Sequence, residues 1–368
     1  MNEKTQPCTH CGAVHPRVNL TWMGSAELCP ECLQRYTVCC DCCGERIWMA
    51  NDYGTHYLHL CASCRADNYV TCENCGALIP QEDAHYNDED EAYCDSCYEH
   101  GYGGTIHNYS YKPEPIFYGD GPLYLGVELE VDEAGKDNIN AVQALRAFNQ
   151  ENVYGYVKSD GSLNDGFELV THPCTLETHL QQVPWRETLE ALRGMGYRSH
   201  APGTCGLHVH VSRKALGKDV YEQEETIAKL LYIFERFWQE ILRFSRRTES
   251  QINHWAARYG YKDRGEEILK EAKHGANGRY ACINLTNTDT IEFRVFRGTL
   301  KYNTVIATLQ FVANLCRVAI SLPEYRIQEF SWPALIEALT QDNCPELVQY
   351  LKERNLYVNE PVTAEREV

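Results

Sequence analysis

Four short stretches of the chain set acids, imidazoles and a guanidinium in alternation with apolar side chains. In LYLGVELEVD, Glu128 and Glu130 alternate with Val127, Leu129 and Val131. In CGLHVHVS, His208 and His210 alternate with Leu207, Val209 and Val211, and in TIEFRVFRGT, Glu292 and Arg294 alternate with Ile291, Phe293 and Val295. In SDGSLNDGFELVT, Asp160 and Ser162 stand in a turn, and Glu168 follows between Phe167 and Leu169. Period-two alternation marks a strand, so each polar set shares one face and each apolar set the other. Adjacent carboxylates repel one another unless a cation or an arginine lies between them. A solvated sheet face would carry Lys, Thr and Ser. Glutamates, histidines and arginine are instead the ligands of a hard divalent cation and the clamps of an oxyanion.

The cysteines carry a second chemistry. Of the 19, 14 fall within the first 97 residues, mostly in C-x-x-C pairs. Cys8-x-x-Cys11-Gly12 recurs as Cys40-x-x-Cys43-Gly44 and Cys72-x-x-Cys75-Gly76, a period of 32. Each is followed, after 17, 17 and 18 residues, by a second pair: Cys29 and Cys32, Cys61 and Cys64, Cys94 and Cys97. Two such pairs at that separation are the pattern of a structural four-thiolate zinc site, and the glycine after the first pair permits a backbone turn. Three zinc sites are expected. The run CCDCC leaves Cys39 and Cys42 over; the period favours Cys40 and Cys43 as the ligands. A unit of about 32 residues cannot build a core that folds unaided, so metal is expected to supply the folding energy.

Zinc rather than disulfides follows from the expected compartment. No hydrophobic signal segment opens the chain, no unbroken apolar run of membrane-spanning length is present, and 43% of residues are apolar. A cytoplasmic protein with no membrane partner is expected. The remaining cysteines, Cys174, Cys205, Cys282, Cys316 and Cys344, are expected as buried free thiols. No nucleic-acid partner is expected, on charge: residues 1–110 hold five basic against 16 acidic side chains, a formal net of −11, and thiolate–zinc sites add negative charge. A protein partner is expected for this module. Trp22, Trp48 and Tyr57 are its candidate anchors.

The elements that must position the polar faces begin after a Gly-, Tyr- and Pro-rich linker at 101–121. From about 122 to 356 the order is strand (123–131), helix (137–150), strand (153–158), turn and strand (166–172), helix (175–194) and strand (205–212). A long helix (222–246) and a polar stretch (248–278) follow. Strands at 279–285 and 290–297, and helices at 303–321, 332–341 and 345–354, complete the domain; a polar tail covers 357–368. Strands separated by helices of unequal length, with two joined through a short Thr-Asn-Thr-Asp turn, argue for an α+β fold with a largely antiparallel sheet and flanking helices. Neither a P-loop nor a Rossmann fingerprint occurs.

GVELEV, SDGSL with FELVT, CGLHVHVS, GRYACINL and TIEFRVFRGT, in that order, resemble the amidoligase family of the carboxylate–amine ligase superfamily, which includes glutamine synthetase. The resemblance covers roughly residues 122 to 320 and leaves the cysteine repeats outside. It implies a glutamine synthetase-like fold. It also implies a reaction in which ATP and a divalent metal, Mg²⁺ or Mn²⁺, activate a carboxylate as an acyl phosphate that an amine attacks. Glu128, Glu130, Glu168 and Glu292 are implied as metal ligands together with one of His208 and His210. Arg294 is implied at the phosphate or acyl phosphate, Arg279 and Arg297 as further phosphate clamps, and Asp160 and Ser162 match the family's D-x-S turn. The expected substrates are a protein or peptide, recruited by the zinc module, and a small amine or amino acid. Two other classes compete: a metal-dependent hydrolase or phosphoesterase, which needs no arginine cluster, and a zinc-scaffold adaptor with an inactive ligase-like domain.

Overall fold

The computed structural model describes residues 5–87, 90–99, 105–274 and 278–357. The chain divides into two compact units, Met1–Gly104 and Thr105–Val368.

The first unit repeats one small motif. A two-stranded hairpin (Thr5–Pro7 with Val14–Pro16, Thr37–Cys39 with Arg46–Trp48, Tyr69–Thr71 with Leu78–Pro80) carries the first cysteine pair in its turn. The second pair opens a short helix (Pro30–Tyr36, Ala62–Asn68, Asp95–Glu99). Gly12, Gly44 and Gly76 have φ of 76°, 76° and 70°, the left-handed conformation that glycine adopts most readily. The helices Pro30–Tyr36 and Ala62–Asn68 run directly into the next hairpin.

The second unit is built on one sheet. Its strands are β1 (Ile106–His107), β2 (Leu125–Val131), β3 (Gly155–Lys158), β4 (Phe167–Thr171), β5 (Gly206–Ser212), β6 (Ile283–Asn284) and β7 (Thr290–Arg297). They lie in the order β1-β3-β4-β2-β5-β7-β6. Every pairing is antiparallel except β1 with β3. The α+β architecture with a largely antiparallel sheet is therefore as expected. Leu125, Val127, Leu129, Leu207, Val209, Ile291 and Phe293 are fully buried on the apolar face. They join the helix Tyr302–Ser321 and the helix Val220–Arg236 in one core. The helix Tyr302–Ser321 is long and apolar enough to cross a membrane, with mean hydropathy 1.5, although no unbroken apolar run spans it; 83% of that stretch is buried in the fold, the condition of a core helix.

Several boundaries differ from the sequence pattern, each for a local reason. The helix expected at 175–194 is two, Leu176–Gln181 and Trp185–Gly194, because Pro184 has no N–H to continue the ladder. The helix expected at 222–246 breaks at Phe237 into Val220–Arg236 and Trp238–Ser245. The polar stretch 248–278 holds two helices, Glu249–Trp255, closed at its start by a Thr248–Gln251 capping box, and Gly265–His274. Of the linker, residues 105–121 belong to the sheet unit: Ile106 pairs with Val157, and Tyr118 bridges to Cys174. Residues 101–104 and the tail from 358 onward lie outside the described residues.

Candidate active site and metal centres

The cysteines converge as their spacing requires. Cys8, Cys11, Cys29 and Cys32 form one group, Cys40, Cys43, Cys61 and Cys64 a second, and Cys72, Cys75, Cys94 and Cys97 a third, with the sulfurs of each within 4.8 Å of one another. Sulfurs bound tetrahedrally to zinc at about 2.3 Å stand about 3.8 Å apart. The Cys11–Cys29, Cys43–Cys61 and Cys75–Cys94 separations are 3.8, 3.9 and 3.9 Å. Cys29 N–H and Cys61 N–H each donate to the first sulfur of their site at 3.3 Å. Burial raises the Cys8, Cys40 and Cys72 thiols, but the surrounding backbone N–H groups outweigh it and lower each to about 6. Such sites favour thiolate, the form zinc binds. Cys39 and Cys42 are exposed and belong to none of the three groups.

In the second unit the polar face of the sheet brings the sequence candidates together through its register. Glu130 stands opposite Glu168 across β2 and β4, Glu128 opposite His208 across β2 and β5, and His210 opposite Glu292 across β5 and β7. Two ligand groups result, and they share Glu128: Glu128, Glu168 and His208, and Glu128, His210 and Glu292. His208 Nδ1 lies 3.3 Å from Glu128 Oε2 and 3.4 Å from Glu292 Oε1. His210 Nε2, sealed from solvent, lies 3.1 Å from Glu128 Oε1 and 4.0 Å from Glu292 Oε1. A ring nitrogen and two carboxylates gathered this closely are placed to share a cation. The oxygen-rich donor set fits a hard divalent ion such as Mg²⁺ or Mn²⁺. Glu130 joins neither group: its Oε2 accepts the Gly206 N–H, and its Oε1 is 3.9 Å from His208 Nδ1.

The carboxylates differ electrostatically. Burial alone would raise Glu128, but His210 and His208 hold it well below the usual carboxylate range. Burial pushes Glu130 up, and burial together with the neighbouring Glu128 pushes Glu168 well above its ordinary value. For His210, burial disfavours the charge, and Glu128 and Glu292 outweigh it and raise the ring.

These groups line a cavity of about 810 Å³. Arg294 reaches Glu292 Oε1 at 2.5 Å, and Glu292 Oε2 accepts from Asn284 Nδ2 at 2.8 Å. Asp160 and Ser162 are on the wall, with Ser162 N–H donating to Asp160 Oδ1 at 2.7 Å. Arg279 is at the exposed mouth, donating to the hydroxyls of Tyr109 and Tyr280. Arg297 is not on the wall, contrary to the clamp expected of it; its guanidinium lies against Arg246, where it donates to the Arg246 carbonyl at 3.5 Å. β-Strand alternation from Glu292 would put Arg297 on the apolar face. A bulge in β7 reverses the phase, since Val209 pairs with Phe293 but Leu207 with Phe296; Arg297 thus starts from the polar face opposite Gly206, and only the turn of its side chain toward Arg246 takes it off the wall.

Two wall residues were not singled out from the sequence. Lys158, on β3 opposite Glu168, places Nζ 3.4 Å from Glu168 Oε2. Its signal was present in the alternation Tyr156, Lys158 that leads into Asp160. Arg247 is 6% exposed, donates from Nη2 to the Phe296 carbonyl at 3.3 Å, and has an Nε with no partner. Burial lowers it to about 10 against the pull of Glu130. Nothing in the run RFSRRT separates it from its neighbours. Gly206 makes room for both: a Cβ there would meet His208 Nε2 at 2.3 Å and Arg247 Nη2 at 2.9 Å.

Residues 146–316 match a family model described as "Putative amidoligase enzyme". That segment is similar to the amidoligase family, and it contains Glu168, His208, His210, Glu292 and Arg294; Glu128 and Glu130 precede it. The match supports a ligase. No curated protein matches the chain. Among solved structures, a bifunctional glutathione synthetase from Pasteurella multocida is similar at a TM-score of 0.32 and 15% identity, over 63% of this chain and 46% of that one. The chain thus spans less than half the length of that protein.

Proposed function

We propose that the second unit is an ATP-dependent carboxylate–amine ligase that forms an amide or isopeptide bond by way of an acyl phosphate. The observation that carries this is the meeting, in one cavity, of a divalent-cation donor set with three arginines and three lysines, of which Arg294, Arg247 and Lys158 are closest in role to the donor set. Hydrolysis of a phosphoester would use the donor set alone, whereas transfer of a phosphoryl group onto a carboxylate collects far more negative charge. A divalent cation held by Glu128, Glu168, Glu292, His208 and His210 would supply Lewis-acid neutralisation of phosphate oxygens.

The chain's own side chains do the rest. Arg294, fixed by Glu292, presents its fork to the oxyanion that gathers charge. Arg247, whose Nε has no partner, is the second clamp. Lys158 is kept charged against burial by Glu168 and Glu128, and it orients the substrate carboxylate. Tyr109, Tyr111, Tyr156 and Tyr280 on the wall exclude water from an intermediate that water would destroy. The zinc unit recruits a protein or peptide substrate, for which its acidic charge and the exposed Trp22 and Tyr57, at 63% and 91%, are suited; Trp48 is half-buried.

The test incubates the full chain with ATP, Mg²⁺ and panels of amines and carboxylate peptides, and reads ADP release and product mass. Acceptor-dependent ADP formation with a product lighter by one water than its two substrates is expected. ATP-independent release of phosphate from phosphoesters would overturn the ligase in favour of the hydrolase.

A further inference from the structure

A second cationic cluster lies off the cavity wall. Arg246 follows the helix Trp238–Ser245, Arg297 ends β7, His200 precedes β5, and Arg354 follows the helix Pro345–Glu353. Arg246 Nη2 donates to the Arg297 carbonyl at 2.5 Å, and Arg297 Nη1 donates back to the Arg246 carbonyl at 3.5 Å. Arg246 Nη1 meets His200 Nδ1 at 3.2 Å. Arg354 is anchored by two bonds to the Arg243 carbonyl, at 3.2 and 3.0 Å, and adds its charge to Arg246 and His200.

Three facts make this arrangement costly as it stands. Among the described residues, none of the three guanidiniums lies within 4.0 Å of a carboxylate, although Arg354 attracts the neighbouring Glu353, in a chain of formal charge −18 where acids are plentiful. The Nε atoms of Arg246 and Arg297 are cut off from solvent and have no hydrogen-bond partner. Arg246 is moreover a non-glycine residue at φ 64°, a left-handed conformation that L side chains rarely adopt. Backbone strain, mutual repulsion and unmet donors coincide at one place. Donors that are cut off from solvent and left unmet are tolerated where a ligand completes them.

We propose that Arg246, Arg297, Arg354 and His200 form a second anion site, for a phosphate-type oxyanion, apart from the sheet cavity. Three guanidiniums and an imidazole offer more donors than the two oxygens of a carboxylate can accept, whereas a tetrahedral dianion accepts from several directions. The site does not depend on the ligase reading, because none of its four residues lines the cavity.

The experiment follows thermal unfolding of the zinc-loaded full chain in phosphate and in chloride at equal ionic strength. A rise of about 2–4 °C in phosphate is expected for the parent and for Arg294→Gln, which alters only the cavity. The rise is lost in the double variant Arg246→Gln, Arg297→Gln, whose midpoint in chloride equals or exceeds that of the parent. A rise that survives the double variant, or is lost in Arg294→Gln, overturns the site, as does no rise in the parent. Should the double variant not fold, the His200 ring is titrated by NMR in the parent. A bound dianion moves its midpoint upward, and an unchanged midpoint overturns the proposal. Phosphoserine in place of phosphate separates the sources: an equal effect assigns the free ion, a larger one an esterified phosphate.

Discussion

The two units are held together by different means. In the first, three separate cores each consist of cysteines and one or two fully buried apolar side chains: Leu28 in one, Leu60 in the next, Ile79 and Tyr93 in the third. In the second, one continuous core runs from Ile106 to Leu356. The first has too little apolar surface to offset chain entropy, so its stability is a property of its thiols. The second rests on that continuous core, which carries the charged cluster as well. Trp48 and Leu78 link the small cores, since each belongs to one repeat's hairpin and packs on the preceding repeat's cysteine cluster.

Metal removal should separate the units most strongly. A structural zinc in a peptide of this type contributes about 10–16 kcal/mol. A strong chelator is expected to release three zinc ions per chain and to make the first unit sensitive to protease while the sheet unit stays resistant. Mass spectrometry of the fragments reads this directly, and joint loss of both units would break the contrast.

Glu128→Gln tests the other side. Glu128 is common to both donor groups in the cavity, so its loss is expected to weaken Mn²⁺ binding and ADP formation by at least about 100-fold. The unfolding midpoint of the metal-free sheet unit should move little, because the core beneath is untouched. Titration of Mn²⁺ by electron paramagnetic resonance, beside a melting curve, separates the two effects. Undiminished Mn²⁺ binding would remove Glu128 from the site.

The legibility of the two units in sequence follows the same division. Zinc sites are local, within about one repeat, and the ligand sets follow from the cysteine spacing alone. The strands of the cavity were also legible, since alternation is a local signal. Their order and register were not, because they are set by packing over long separations, and so the sharing of Glu128 between two groups could not be seen. Arg297 was assigned to the cavity by the resemblance alone; its guanidinium turns instead to the Arg246 carbonyl, a long-range contact that no local pattern marks. Arg247 was missed because it is distinguished from Arg246 only by which way a helix end turns. The edge strand Ile106–His107 was read as linker because two residues carry no period.

Acid should also divide the units, by two mechanisms. His179, in the core of the sheet unit, uses both ring nitrogens: Nε2 is 3.0 Å from the Leu125 carbonyl, and Nδ1 accepts from Trp185 Nε1 at 3.3 Å. The ring must therefore be neutral, and burial lowers it from 6.5 to about 4. The unfolded chain takes up a proton below 6.5 that the folded chain refuses. Stability from this group is thus complete above 6.5 and is lost as the pH falls through 4, about 3 kcal/mol in all. Denaturant melts of the zinc-depleted chain between those limits should show the slope, and His179→Gln should flatten it. Zinc release from the first unit, by protonation of thiolates, would be followed separately with a zinc dye.

The smallest effects, and the finest form of the contrast, come from two glycines replaced by alanine. At Gly206 the backbone is ordinary and the obstacle is space, because the new Cβ would press on His208 and Arg247. At Gly44 the reverse holds: nothing lies within 4 Å of the new Cβ, and the obstacle is φ of 76°. Gly206→Ala is expected to cost about 1–3 kcal/mol and to lower ADP formation as well, because the residues that must give way are site residues. Gly44→Ala is expected to cost about 1 kcal/mol, to weaken zinc retention at the second site alone by roughly fivefold, and to leave the sheet unit unchanged. Competition with a chelator and the ADP assay, run on both variants, form a two-by-two test. Loss of activity without loss of zinc in the first, and the opposite in the second, would show that each unit answers to its own chemistry. An activity loss in Gly44→Ala would instead mean that the sheet site depends on the zinc unit being intact.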